Sequence, residues 1–226
     1  MSQLQQSDFA RTYQESTMRL QKCLNSLAKQ VTVEIFEDDL TELKANNYKL
    51  CFAKKVAEGA YNVVWQSFDK YLGNNTFSWT PQYQLFGSNT FEEGVTVNVS
   101  TNLKTIGLGQ TATLTSAGVL QTPVSGGSST GFTMHNEYGS IHVGVCQLCT
   151  QLDGRTISSP IYVSTAAAMT GDVVLTPVEK VLVWFQQDIV TSTMFSTART
   201  DAQELDMTES NSKKCLYKNQ KWSIVG

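Results

Sequence analysis

Charge is scarce in this 226-residue chain: Asp, Glu, Lys and Arg make up 16% of it, and the formal net charge is -3. No basic stripe runs through it, which excludes the electrostatic footprint of a nucleic-acid binder. Histidine occurs only twice, as His135 and His142, so imidazole chemistry has few places to sit. No apolar run reaches the roughly 18 residues of a membrane-spanning helix. The opening stretch MSQLQQSDFARTYQ lacks an apolar signal-peptide core. Walker, Rossmann and nucleophile-elbow glycine patterns are missing, and Gly107-Leu-Gly109 is a lone pair of glycines in β context. The five cysteines, Cys23, Cys51, Cys146, Cys149 and Cys215, are odd in number and show no disulfide framework. They read as reduced thiols. These absences predict a cytoplasmic protein without a cofactor, and make the sequons at Asn74 and Asn98 coincidental.

The strongest periodic signal that is present lies at residues 7–31. Phe9, Tyr13, Leu20, Cys23, Leu24, Leu27 and Val31 recur at helical spacing, with Ser16 on the same stripe. They span about 100° of arc at 100° per residue, while Asp8, Arg11, Glu15, Arg19, Lys22 and Lys29 lie outside it. Met18 breaks the pattern. Burying five large apolar side chains contributes roughly 8–15 kcal/mol as an upper bound. Such a stripe docks on a sheet, pairs with another helix or enters a membrane interface. Docking through Phe9, Tyr13, Leu20, Leu24, Leu27 and Val31 is the favoured expectation. Ser16 and Cys23 would weaken a coiled-coil seam, and the apolar face has no Trp for a membrane interface.

The rest is β-patterned. Residues 31–36 alternate as a first strand, and Asp39 with Glu42 forms a capping box for a short helix ending near Lys44. Residues 47–87 carry three strand-like segments and many of the large aromatics. Residues 48–52 and 61–65 are predicted to pair as a hairpin through a turn at Gly59. Pro81, lacking an amide donor, must sit at an edge, a bulge or a strand end. Tyr61, Trp65, Trp79 and Tyr83 read first as sheet core and second as an aromatic binding face. Further strands are expected at 95–100, 104–108, 110–115, 132–134, 140–145, 161–163 and 172–175. Residues 181–185 are apolar on both faces and read as a central strand. Residues 121–131 form a Gly/Ser-rich loop, residues 191–207 fit either strand or helix, and residues 215–225 read as a hairpin turning at Lys218-Asn219. The expected fold is mainly β: one domain over residues 1–226, an antiparallel β-sandwich (32–226) preceded by an N-terminal amphipathic α-helix.

Few residues offer chemistry. His135, His142, Cys146 and Cys149 supply zinc-type donors in an unfamiliar spacing. In a strand, His142 and Cys146 share a face while Cys149 points away, so His135, His142 and Cys146 are weak metal candidates. Cys146 and Cys149 do not open a helix, the usual setting of a redox pair. Glu92-Glu93, Asp38-Asp39 and Glu204 with Asp206 read as solvated turns. No catalytic residue emerges.

The blocks NYKLCFAKK (47–55), YNVVWQS (61–67), LTPVEKVLVWF (175–185) and TSTMFSTAR (191–199) resemble a group of uncharacterised, signal-less fungal proteins of similar length. The resemblance covers most of the chain and transfers no functional residue. It implies a fungal, cytosolic origin. Residues 106–114 are similar to the second strand of Ig-like sandwiches. The functional expectation is a non-enzymatic, lectin-like β-sandwich that binds a carbohydrate or lipid ligand or assembles as a homo-oligomer. One alternative is a membrane-active pore-forming toxin, similar in layout to actinoporin-like cytolysins, touching the membrane through the N-terminal helix without spanning it. The other is a metal- or thiol-dependent enzyme.

Overall fold

The computed structural model of the protein describes residues 27–56 and 61–225. Among these residues strand outweighs helix, 53% to 5%, in several sheets of which none closes. The largest sheet runs in the order β10 (Thr156–Val163), β9 (His142–Thr150), β4 (Asn74–Ser88), β1 (Lys29–Ile35), β14 (Ser212–Lys218) and β15 (Lys221–Val225). A short β5 (Lys104–Ile106) also pairs with β4. A second sheet is β13 (Ala202–Asp206), β12 (Pro177–Gln186), β2 (Lys49–Val56) and β3 (Gln66–Phe68). A third is β11 (Gly171–Leu175), β8 (Phe132–Asn136), β6 (Gln110–Leu114) and β7 (Val124–Ser125). Between β1 and β2 lies α1 (Glu37–Ala45), and among the described residues no helix is long and apolar enough to cross a membrane.

Aromatic side chains fasten the first two sheets together. Phe52 on β2 stacks on Phe77 of β4 with ring centroids 4.5 Å apart, and Trp65 meets Phe77 edge-on at 4.9 Å. Leu114, Phe132 and Met134 from the third sheet join the same buried cluster. β12 lies between β13 and β2 with both faces covered, as its double-sided apolarity predicts. Val181 and Val183 enter the main cluster, while Leu182 and Trp184 meet Val64, Ile189 and Phe195 on the far side.

Proline marks the irregular points. The β4–β9 register shifts between Trp79 and Tyr83, around Pro81. The β9–β10 register shifts at Pro160, and the β2–β12 register between Pro177 and Val181. A residue without an amide donor cannot complete a ladder, so the strand bulges there.

Several expectations are corrected. Most of the predicted helix, with Phe9, Tyr13, Leu20 and Leu24, lies outside the described residues. Its predicted end is not helical: Leu27 is in a turn and 54% exposed, and Val31 is a buried residue of β1. Val31, Val33 and Ile35 alternate inward, and β1 has ladders on both sides, to β4 and β14. Pairing on two edges outweighs helical spacing over the last turn. The β1–β14 and β6–β8 ladders are parallel, so the sheets are not wholly antiparallel; alternation fixes the face of a residue and says nothing of strand direction. Residues 61–65 are not a strand. β2 pairs instead with β3, because the backbone of 61–65 is divided between partners, Asn62 and Val64 bonding to Phe195 and Thr193 and Trp65 to Phe52. Residues 95–100 form only a bridge, Thr96 to Thr193. Asp39 is not an N-cap; Phe36 holds that position without a side-chain cap. The terminal hairpin is present, turning at Asn219 and Gln220, whose φ angles are 52° and 58°.

Candidate functional site

Under α1, the second sheet meets the edge of the first and leaves a groove of about 320 Å³. Its walls come from four separate parts of the chain. Asp39, Glu42 and Leu43 descend from α1, Tyr48 precedes β2, Phe185 ends β12, and Asp201 precedes β13, while Tyr217 and Gln220 belong to the terminal hairpin. Phe185 and Tyr217 meet at 4.8 Å, and Trp222 stacks on Phe185 at 5.3 Å with ring planes 10° apart. Tyr71 supports this layer from behind. Its ring lies 5.7 Å from Phe185, and its hydroxyl donates to the Tyr48 carbonyl at 2.9 Å.

Asp39 explains why the helix sits where it does. Its two carboxylate oxygens accept the backbone N–H groups of Asn219 and Gln220, each at 2.9 Å. The left-handed turn residues aim both amides at one carboxylate, and the side chain is buried by the contact. Trp222 Nε1 donates to the Asp201 carbonyl at 3.2 Å, tying the hairpin to the approach to β13. Among the described residues no cation forms an ion pair with Asp39, Glu42 or Asp201. Tyr217 feels this field: burial raises the pKa of its phenol, and Asp39, Glu42 and Asp201 raise it further. Local sequence carries little sign of the groove, because its residues come together only through the β12 ending, the α1 contact and the β14–β15 turn.

The aromatics singled out from sequence lie elsewhere. Trp65, Trp79 and Tyr83 are buried in the main cluster, with Trp65 and Trp79 5.6 Å apart. Tyr61 packs on the outer side of the second sheet and donates to Glu204 Oε2 at 3.0 Å. The four therefore form no common face.

Trp79 does border a polar feature that strand alternation does not signal. Lys54 is 1% exposed, and its ammonium donates to Glu179 Oε2 at 2.7 Å. Trp79 Nε1 lies 3.4 Å from the same oxygen, and Lys54 Nζ sits 5.1 Å from the Trp79 ring. Burial pulls the Lys54 pKa down to about 8, against the pull of Glu179 upward. Both partners stand beside bulges: Trp79 where β4 shifts register, Glu179 between Pro177 and Val181. A shallow groove of about 190 Å³, lined by Leu27, Lys29, Trp79, Pro81, Glu179 and Asn211, opens beside the pair.

The metal and thiol candidates have separate surroundings. His135 on β8 pairs with Asp172 through Nδ1 at 2.6 Å, and this hydrogen bond raises its pKa. His142 Nδ1 lies 2.7 Å from the Ser164 carbonyl oxygen. Cys146 and Cys149 enter different buried clusters on opposite faces of β9, and burial pushes both thiols up to about 12. Among the described residues no group of three or more His, Cys, Asp or Glu side chains is arranged to hold a metal ion.

Comparison of the chain with protein-family models, curated proteins and solved structures gives no match.

Proposed function

We propose that this protein is a non-enzymatic β-sandwich that binds a small ligand in the groove beneath α1. The observation that carries the reading is the groove itself: Tyr48, Phe185 and Tyr217 wall a space of about 320 Å³ on which Asp39, Glu42 and Asp201 converge. Small-molecule sites combine apolar and aromatic walls with a few placed polar groups, in volumes of about 300–1,000 Å³. Trp222 stacks directly on the wall residue Phe185, so its fluorescence reports occupancy. Titration of the full chain with soluble glycans, short-chain lipids and organic cations is expected to change that fluorescence saturably for one class. Tyr217→Leu, which removes a wall, is expected to abolish the change while the urea midpoint shows the chain still folded. No saturable change with any class removes the reading.

A second reading, self-assembly, has its own support in β15. This edge strand ends one side of the largest sheet, with Ile224 and Val225 exposed by 52% and 37%. Exposed apolar edge strands are templates for pairing with another chain.

A further inference from the structure

We infer that the groove beneath α1 selects a methylated ammonium cation, held with its methyl groups against the rings and its charge toward the carboxylates. The inference rests on the ligand-binding reading and names the class of ligand.

The rings offer faces of negative potential to a cation within about 6 Å of their centroids. The chain's own cations already use neighbouring rings in this way. Lys44 Nζ lies 5.9 Å from the centroid of Tyr71, the ring behind Phe185, and Lys218 Nζ lies 4.5 Å from that of Phe36, the N-cap residue of α1. Along the groove, three carboxylates, buried Asp39 and exposed Glu42 and Asp201, lack an ion-pair partner among the described residues. An anion would meet their repulsion at close range. A neutral apolar ligand would leave them facing it without a counter-charge.

The hydrogen-bonding pattern separates methylated from primary ammonium groups. A primary ammonium carries three N–H donors and needs an acceptor for each when it leaves water. Asp39 already turns both oxygens to the Asn219 and Gln220 amides, and Phe185 has no acceptor, so the exposed, water-solvated carboxylates of Glu42 and Asp201 are the acceptors that a primary ammonium would have to reach. A quaternary ammonium has no N–H group to satisfy. It gains from ring faces and from unneutralised charge at a distance, and this groove supplies both.

The probe is choline, with 3,3-dimethylbutan-1-ol as its uncharged isostere, titrated into the full chain by calorimetry and Trp fluorescence. Choline is expected to bind saturably, at least about ten-fold tighter than the isostere. Asp201→Asn keeps the shape and removes one charge from an exposed side chain. It is expected to weaken choline about three-fold to five-fold and leave the isostere unchanged. Tyr217→Phe, which keeps the ring, is expected to retain binding that Tyr217→Leu loses. Equal affinity for choline and the isostere, or an Asp201→Asn variant that binds choline as the native chain does, overturns the cation assignment and leaves ligand binding standing. A groove that answers only to a glycan or a lipid does the same. Silence toward every ligand class overturns the assignment and the ligand-binding reading together.

Discussion

At the scale of single residues, the chain's least conventional choice is Lys54. A buried ion pair is asymmetric here, because Lys54 is enclosed while Glu179 retains a quarter of its side-chain exposure. Removing the acid strands a charge in the core; removing the base leaves a carboxylate that water can reach. Glu179→Gln is therefore expected to cost roughly 3–5 kcal/mol, and Lys54→Met to be close to neutral, both read from urea midpoints. The pH dependence follows from the same residues. Lys54 has a folded pKa lowered from 10.5 to about 8. The stability tied to its neutral form is present above the unfolded value and lost as pH falls through the folded one. Cys51, Cys146, Cys149 and Cys215 shift the other way, from 9.0 to about 12, chiefly through burial. Their contribution is complete below the unfolded value and is lost as pH climbs toward the folded one. Four thiols outweigh one amine, so the native chain is expected to lose stability above pH 9, the unfolded thiol value. Lys54→Met removes the opposing slope and should lose it more steeply; urea midpoints taken between about pH 8 and pH 10 check both statements.

At the scale of elements, the contact between β4 and β9 shows how a small residue can serve a strand. Phe86 and Gly144 are partners across the ladder, and a methyl group on Gly144 would land in the Phe86 ring. The ring covers the glycine, as aromatic residues do for glycines in twisted sheets. Gly144→Ala is expected to cost roughly 1–3 kcal/mol by overpacking. Phe86→Leu, placed in the same chain, should recover part of that loss, and thermal denaturation of the two single variants and the double variant measures the coupling. Element by element, the sequence is readable where a segment's partners match its own period. Residues 181–185 announce a strand covered on both faces, and Val31, Val33 and Ile35 announce one face of β1. Pro81 announces a bulge. Residues 61–65 mislead because alternation of side-chain type does not say which partner takes the backbone: Asn62 and Val64 bond to Phe195 and Thr193, and only Trp65 reaches Phe52 of the predicted partner. The groove was the least readable feature. Asp39 reads as a helix cap and Tyr217 as one residue of a hairpin, and only the parallel pairing of β1 with β14 brings the hairpin beneath α1.

At the scale of the molecule, the sheets differ in how their edges are guarded, and that difference predicts where copies would meet. β10 carries Pro160 with a register shift. β13 presents Glu204 and Asp206, both salt-bridged to Lys180. β3 and β7 are three and two residues long, and β11 opens with Gly171 and Asp172. Short edges, prolines and charges all discourage edge-to-edge pairing. β15 has only Lys221 at its start, followed by Trp222, Ser223, Ile224 and Val225. Two copies joined antiparallel through β15 would continue the largest sheet across a two-fold axis, with the same surface used by both. Five residues of ladder bury too little for a permanent dimer by themselves, so the expected behaviour is association that depends on concentration. Light scattering coupled to size exclusion should show the mean mass rising from the 25.0 kDa of one chain as concentration increases. Ile224→Lys puts a charge where the edges would approach and should hold the mass at that of one chain, with no change in the urea midpoint at low concentration. A native chain that stays monomeric at millimolar concentration, or an Ile224→Lys variant that associates as the native chain does, removes β15 as the meeting edge.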